Sequence, residues 1–222
     1  MNSNGIKDLE DTSLTGIKIK ITGPTTDSVF SDTNGNYQFD SLSIGEYIIT
    51  QEVSNGWKQT KPTISYAVNL LHRVDTSGFD FGNFKLATIS GFKFNDLNND
   101  GIKDLIEPGM DNWVFKLTHG ENSYRAVTQD GGFFTFTNID TGTYVLSESI
   151  RVGWFQTVPQ NYGSYTISVQ RSMDTSGFIF GNFYMPDSSY RISEGWNLLS
   201  FPKLVSDYSI SRYYPTAISD LF

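Results

Sequence analysis

The sequence predicts an all-β protein composed of two tandem antiparallel β-sandwiches followed by a short C-terminal fragment. Three observations support this fold class: the chain repeats itself once, apolar and polar residues alternate with period two inside each copy, and turn residues separate the alternating segments. No segment keeps a 3.6-residue period over three turns, so we do not expect helices to dominate.

The repeat has an offset of about 97 residues, which is the size of one small β domain and too long for a solenoid repeat. Three motifs recur in order, at 44–47 and 141–144, 56–60 and 153–157, and 75–79 and 174–178. We therefore expect one β-sandwich in residues 1–85 (copy one), a complete one in 86–184 (copy two), and the start of a further domain in 185–222.

Strand signals appear early in each copy. Ile17, Ile19 and Ile21 alternate with lysines in copy one, which indicates a strand with one buried face. The same pattern in copy two places Lys116 outward. The inward residues of this strand are Trp113, Phe115 and Leu117. Further half-buried strands are predicted in both copies from the pairs Tyr37 and Phe39, Phe134 and Phe136, Tyr144 and Leu146, and Phe178 and Phe180. Turns are predicted at 33–35, 55–56 and 130–132 from their Asn, Asp and Gly residues.

The twelve residues 96–107 predict a calcium-binding loop. Oxygen-bearing side chains stand at loop positions 1, 3, 5, 9 and 12, and Gly101 at position 6 permits the sharp turn. The predicted ligands are Asp96, Asn98, Asp100, the backbone carbonyl of Ile102, Asp104 and Glu107. Pro108-Gly109 follows at once and stops any helix, so we expect the loop to join two strands. The alternative is a solvated turn rich in Asn and Asp.

Copy one holds only part of this loop. Residues 4–8 align with 100–104, so Met1 falls inside the loop and the strand before it has no counterpart. Asn2, Asn4, Asp8 and Asp11 remain as oxygen donors, and we predict weak or no calcium binding there. The interpretation is an excerpt of a longer polypeptide, whose first sandwich has an unpaired strand edge able to recruit a strand from another molecule.

Composition excludes several classes of function. The net charge of −8 disfavours nucleic-acid binding, which needs clustered Lys and Arg, and suits a secreted protein that collects divalent cations. There is no cysteine, and no apolar run reaches the length of a membrane span. His72 and His119 lack an ordered catalytic partner, so the sequence predicts no enzyme and no catalytic residue.

Tryptophans that follow glycine indicate an alternative function, a module that binds a carbohydrate or a partner protein. Trp57, Trp154 and Trp196 each follow a glycine. An exposed tryptophan can stack on a sugar or contact a partner protein, but at the start of a strand it is more often a core or joint residue.

The motifs resemble the B-type repeats of serine-aspartate-repeat (SdrD-like) bacterial surface adhesins. The resemblance lies in residues 91–101, in 35–39, and in Leu42, Gly45, Tyr47 and 56–57, and it covers nearly all of 1–184. It implies a calcium-stabilised, prealbumin- or immunoglobulin-like sandwich that serves as a rigid stalk segment outside the cell, secreted or on the surface. Calcium would be structural, and a host or matrix protein or a glycan would be contacted through the parent protein. Residues 190–202 resemble the opening of a C-terminal region of large secreted bacterial proteins.

Related collagen-adhesin B-type domains carry an internal Lys–Asn amide bond promoted by a buried carboxylic acid. By that resemblance the candidates are Lys93 or Lys116, with Asn182 and Glu148. The alternation of Phe92 and Phe94 predicts that Lys93 points outward, and Lys116 lies opposite the inward Phe115 and Leu117, which argues against the bond. The alternative is an exposed Glu148. Copy one has Gln51 in place of the acid.

Overall fold

A computed structural model of the chain describes residues 3–71, 75–170 and 174–185. These residues form fourteen strands and no helix, which confirms the all-β prediction. No helix among them is long and apolar enough to cross a membrane. Trp196, His72 and the predicted C-terminal fragment lie outside the described residues.

Copy one contributes six strands in two sheets. They are β1 (Lys18–Thr22), β2 (Asp27–Phe30), β3 (Gly45–Gln51), β4 (Trp57–Lys61), β5 (Tyr66–Leu70) and β6 (Gly82–Lys85). One sheet has the order β2-β1-β3-β5, and the other, among residues 3–71 and 75–85, contains only β4 and β6. Its fully buried cluster is small and consists of Ile19, Ile21, Tyr47 and Ile49. The predicted strand through Tyr37 and Phe39 is wrong, since residues 35–40 form no ladder.

Copy two contributes eight strands in two four-stranded sheets. They are β7 (Ala87–Asn95), β8 (Val114–His119), β9 (Asn122–Val127), β10 (Phe133–Ile139), β11 (Gly142–Glu148), β12 (Trp154–Val158), β13 (Tyr165–Val169) and β14 (Thr175–Tyr184). The sheet orders are β10-β7-β14-β12 and β13-β11-β8-β9.

One strand pair of copy two departs from the antiparallel prediction. The opening strand β7 and the closing strand β14 are neighbours and run parallel, with Lys93 opposite Phe180 and Asn95 opposite Asn182. A parallel pair needs a long crossover connection, and here the whole intervening domain provides it.

The core of copy two lies between its two sheets. Trp113, Phe115 and Leu117 are fully buried, as the alternation predicted, and Phe134 and Phe180 meet them from the facing sheet. Lys116 between them is exposed, also as predicted. The predicted turns are present as well: Gly35 and Gly56 adopt positive φ, and so do residues 130–132.

Candidate functional site: an acidic loop and a buried Lys–Glu–Asn cluster

The acidic loop begins where β7 ends. The amide of Asn95 donates to the carbonyl of Pro108 at 2.9 Å, and the amide of Asp96 donates to the carbonyl of Asn182 at 2.9 Å. The first bond joins the two ends of the loop, and the second fixes its start to the last strand of the domain. Residues 96–107 therefore form a closed loop between β7 and β8.

Two carboxylates lie inside this loop. Asp96 is fully buried, and its oxygens accept hydrogen bonds from the amides of Asp100 (3.2 Å) and Gly101 (2.8 Å). Glu107 is only 3% exposed and accepts from the amides of Leu97 (2.7 Å) and Asp104 (2.9 Å). Both side chains thus hold the loop backbone in a wrapped conformation.

The remaining polar side chains meet over these two. The Nδ2 atom of Asn98 lies 2.9 Å from Oδ2 of Asp100 and 3.1 Å from Oδ2 of Asp104. Two carboxylates therefore converge on one point, which the amide group occupies. Ile102 donates its backbone N–H to Oδ1 of Asp100 at 2.8 Å, while its side chain is exposed.

The donor set fits a hard cation. Buried carboxylates are normally paired or bound to a metal, yet in the described part of the chain neither Asp96 nor Glu107 forms an ion pair. Oxygen ligands of this type suit calcium. The described acidic and histidine side chains do not form a ready-made group of three around a metal position. Calcium binding by the six predicted ligands therefore stays a prediction.

The partial loop of copy one has a related hydrogen-bond pattern. The amide of Ile6 donates to Oδ1 of Asn4 at 2.8 Å, and that of Asp8 donates to Oδ2 of Asp11 at 3.0 Å. These bonds match those of Ile102 and Asp104 in copy two. Asp11, one methylene shorter, stands at the position of Glu107, and calcium binding by this partial loop is not tested by these contacts.

A second cluster of charged and polar groups is buried in the core beside the loop. The ammonium Nζ of Lys93 donates to Oδ1 of Asn182 at 2.5 Å and lies 3.1 Å from Oε2 of Glu148. The side chains of Lys93 and Glu148 are 0% and 3% exposed, and Asn182 is 2% exposed. Lys93 and Asn182 come from β7 and β14 of one sheet, and Glu148 from β11 of the other.

The predictions that Lys93 points outward and that Glu148 is exposed are therefore wrong. In β7 the inward positions are Ala87, Ile89, Gly91 and Lys93, and Phe92 lies on the opposite face. Phe94 lies on the same face as Phe92, away from the core between the sheets, and it is buried too. Its ring packs beside Gly181 and is covered by the segment around Gly109. A one-residue error of phase exchanges the two faces of a strand.

The alternation within three strands did contain a signal that Lys93, Asn182 and Glu148 are buried. Ile89 shares its phase with Lys93, Phe180 with Asn182, and Tyr144 and Leu146 with Glu148. Each polar residue thus continues an alternation whose other members are buried.

Burial governs the protonation of the Lys–Glu pair. Desolvation lowers the pKa of Lys93 to about 8, although Glu148 opposes the shift. Desolvation also raises the pKa of Glu148, against the attraction of Lys93. Both shifts favour the neutral pair, in which the amine is a nucleophile and the carboxylic acid can donate a hydrogen bond.

The surroundings of the cluster are aromatic. The Nζ atom of Lys93 lies 4.7 Å from the ring centroid of Trp113, and the guanidinium carbon of Arg151 lies 4.2 Å from the same ring. Trp113 thus shields the amine from water on one side. The arrangement places a buried primary amine against a side-chain amide, with a carboxyl group next to both.

Copy one has a neutral version of this cluster. Gln51 and Asn83 occupy the positions of Glu148 and Asn182, and Gln51 donates to Asn83 at 2.7 Å and to Gln59 at 2.9 Å. Asn83 donates back to Gln51 at 2.9 Å. In the described residues no lysine takes the place of Lys93, so the cluster is closed by amides alone.

Trp154 and His119 contribute no open site. Trp154 packs against Trp113 at 5.6 Å and Tyr184 at 4.9 Å between ring centroids, at the border of the copy-two core. Trp57 is half-buried. His119 is also half-buried and not fully solvated; its Nδ1 lies 2.9 Å from the carbonyl of Thr143, and its ring packs on Tyr144.

Comparison with known proteins gives the following relatives. The family model of the SdrD B-like domain matches residues 1–71 and 87–176. Serine-aspartate repeat-containing protein F of Staphylococcus epidermidis is 25% identical over 173 residues, 70% of this chain and 11% of that protein. Serine-aspartate repeat-containing protein D of Staphylococcus aureus is 25% identical over 174 residues, 71% of this chain and 13% of that protein. The chain thus spans about an eighth or less of these relatives.

Two solved structures are also similar. The Bacillus anthracis TIE protein has a TM-score of 0.37 at 14% identity, covering 79% of this chain and 32% of that one. A minor pilin of Streptococcus agalactiae has a TM-score of 0.34 at 12% identity, covering 82% and 88%. Because both scores are low, the fold assignment depends on the strands described above. The family model matches well over half of the chain in two successive segments, and the chain therefore belongs to the SdrD B-like domain family as a tandem pair.

Proposed function

We propose that the chain is a non-enzymatic structural segment of an extracellular bacterial protein, in which copy two is stiffened by calcium and by an amide bond between Lys93 and Asn182. One observation carries the proposal: a buried amine on the first strand of copy two contacts a side-chain amide on the last strand, and a carboxyl group from the facing sheet lies beside the amine. Any adhesive contact with a host protein, matrix protein or glycan belongs to the parent protein.

The place of this cluster suits a segment that resists force. Tension on the chain would pull β7 and β14 in opposite directions, and since they are parallel neighbours it would shear the ladder between them. An amide between Lys93 and Asn182 would carry that tension covalently and bypass the hydrogen bonds. The bond would close a loop of 89 residues, which by the chain-entropy argument adds about 4–5 kcal/mol of stability.

The chemistry balances within the domain. The neutral amine of Lys93 attacks Cγ of Asn182, while protonated Glu148 donates to the amide oxygen and stabilises the charge that develops there. The C–N bond to the Asn182 amide nitrogen then breaks, and that nitrogen takes up the proton that the attacking amine of Lys93 gives up and leaves as ammonia. The step needs no oxidant and no metal.

Calcium would act on the same part of the domain from the outside. Bound by residues 96–107, it would neutralise the buried carboxylates of Asp96 and Glu107 and fix the loop that follows β7. Since the amide of Asp96 is bonded to Asn182, an ordered loop would also hold β14 beside β7. The ion would then be structural and would take no part in amide formation.

The mass of the intact folded chain tests the amide bond. We expect the chain to be lighter than its sequence by one ammonia, with a branched peptide that joins Lys93 to Asn182. The Glu148→Gln variant should keep the full mass, and Lys116→Arg, at an exposed lysine, should still lose ammonia. A full-mass wild type that is folded would remove this part of the proposal.

Calorimetric titration tests the calcium part. We expect one site per chain in copy two, lost in an Asp96→Asn, Glu107→Gln double variant. If the wild type takes up no calcium and its melting is the same in chelator, the structural role of calcium is wrong.

A further inference from the structure

The turn between β11 and β12 places Arg151 at the edge of the core of copy two. Arg151 follows Glu148 by three residues, and its carbonyl accepts a hydrogen bond from the amide of Trp154 at 3.1 Å. Its guanidinium donates to the carbonyl of Asn112, and the guanidinium carbon lies 4.2 Å from the ring centroid of Trp113. The turn and this hydrogen bond thus hold the half-buried side chain against the tryptophan ring.

The indole of Trp113 contacts two cationic side chains. Nζ of Lys93 lies 4.7 Å from the ring centroid, and both Lys93 and Trp113 are 0% exposed, whereas Arg151 stays partly exposed. The indole N–H is buried and finds no acceptor among the described residues, so a hydrogen bond does not orient the ring. Its orientation depends instead on contacts with Arg151 and with the ring of Trp154.

The counterpart of Trp113 in copy one is not aromatic. The amide of Trp113 donates to Oγ1 of Thr128 at 2.8 Å, and the amide of Ile17 donates to Oγ of Ser31 at 3.0 Å. Ile17 therefore corresponds to Trp113. An aliphatic side chain at this position offers no ring to a cation.

The counterpart of Arg151 in copy one is not charged. The carbonyl of Ser54 accepts a hydrogen bond from the amide of Trp57 at 3.1 Å, as the carbonyl of Arg151 does in copy two, so Ser54 corresponds to Arg151. Gln51 stands in place of Glu148. The tryptophan, the arginine and the glutamic acid are thus present together in the copy with the buried amine and replaced together in the other copy, which indicates that they serve one task.

We propose that Arg151 is a positioning residue for the formation of the amide between Lys93 and Asn182. The inference rests on the amide bond proposed above. Arg151 holds the indole of Trp113 over the amine, and its positive charge disfavours a second positive charge on Lys93. It therefore acts through the ring and through its charge.

The charge of Arg151 acts in the same direction on both ionisable groups of the cluster. Desolvation is the main cause of the lowered pKa of Lys93; Arg151 adds to this shift, while Glu148 and Asp96 oppose it. Desolvation raises the pKa of Glu148, and Arg151 is among the groups that oppose that shift. Loss of the charge should therefore raise the pKa of Lys93 and of Glu148.

This common direction gives the charge a recognisable effect. Amide formation needs the neutral amine of Lys93 and the acid form of Glu148, so its rate falls in acid and in strong base. Without the charge of Arg151, both limbs of this pH profile should move to higher pH. A substitution that only loosened the packing would lower the rate at every pH and would leave both limbs in place.

Refolding at a series of pH values tests the inference. The full chain is purified unfolded, so that Lys93 and Asn182 have not reacted, and ammonia loss is followed by mass spectrometry at a fixed calcium concentration. Arg151→Met keeps a side chain that packs on Trp113 but removes the charge. We expect both limbs of its profile at higher pH and a roughly fivefold lower rate near neutral pH.

Arg151→Lys separates the charge from the planar group. It keeps the positive charge but loses the flat guanidinium that stacks on the indole. We expect both limbs at their wild-type positions and a lower maximal rate. Arg125→Gln is the matched control, because it removes the same charge from an exposed position on β9 and should change neither the limbs nor the maximal rate.

Each variant decides by itself, so the test stands if one of them does not fold. The inference is overturned if the Arg151→Met profile has its limbs at the wild-type pH, or if those of Arg151→Lys move to higher pH. A wild-type maximal rate in Arg151→Lys would likewise refute the positioning of Trp113. Failure of the proposed function is distinct, since the wild type would then fold at every pH without losing ammonia.

Discussion

The rings of Phe115 and Phe134 stack across the two sheets of copy two, with centroids 3.9 Å apart and planes 17° from parallel. Phe180 completes the contact edge-on to both rings, at 4.8 and 6.1 Å. This aromatic group fills the core directly beside the buried Lys93.

The Phe115→Ala substitution should therefore destabilise copy two strongly. Removing a fully buried ring leaves a cavity between the sheets, and we expect a loss of about 3–5 kcal/mol in the free energy of unfolding. Chemical denaturation measures it. Phe133→Ala is the control, since Phe133 is 58% exposed and its loss should cost far less. If both substitutions lowered the free energy of unfolding equally, the buried ring stack would contribute no more stability than the exposed ring of Phe133.

Formation of the proposed amide should depend on pH on both sides of a maximum. Burial lowers the pKa of Lys93 to about 8, so the reactive neutral amine becomes more abundant as pH rises toward and through that value. Burial raises the pKa of Glu148, so its acid form is lost only well above the usual range for a glutamic acid. We expect the rate of ammonia loss after refolding, followed by mass spectrometry, to fall in acid and in strong base. A rate that rises steadily with pH would exclude the acid role of Glu148.

Gly101→Ala should weaken calcium binding specifically. Gly101 has φ +77°, and an added Cβ would lie 3.3 Å from the carbonyl of Thr157, so the loop must shift. Gly120 is the matched control because it also has positive φ but nothing within 4 Å of its Cβ. Both variants lose about 1 kcal/mol of stability from backbone strain, but only Gly101→Ala should lower calcium affinity in a titration. Unchanged affinity would place the ion elsewhere.

Calcium itself should raise the melting temperature of copy two. At a free concentration a hundred times the Kd, binding adds about 2.7 kcal/mol to the folded state. Calorimetry in calcium and in chelator measures the shift, and copy one, with its partial loop, supplies the internal control. A shift confined to copy one would contradict the assignment.

The β4–β6 sheet of copy one should exchange its amide hydrogens faster than β12 and β14 of copy two. In the described part of the chain the buried hydrophobic cluster of copy one contains four residues and that of copy two fourteen, and the second sheet of copy one has two strands instead of four. Equal protection factors in the two sheets would show that the open edge of β6 costs no stability.

Much of the fold followed from the sequence because short-range alternation determines which face of a strand is buried. The phase of Trp113, Phe115 and Leu117 placed β8 correctly, and the repeat related the two copies. The phase of β7 could not be read from Phe92 and Phe94, since both faces of that strand are covered, one by the opposite sheet and one by the loop at Gly109. The parallel pairing of β7 with β14 was also hidden, because it depends on contacts 89 residues apart.

The same separation has a consequence during synthesis. Lys93 would emerge from the ribosome long before Asn182 is synthesised. The amine of Lys93 would therefore stay unreacted in a growing or prematurely terminated chain. The amide bond would form only in a domain whose final strand has been synthesised. Proteases would therefore encounter the domain without its amide bond only in unfinished chains.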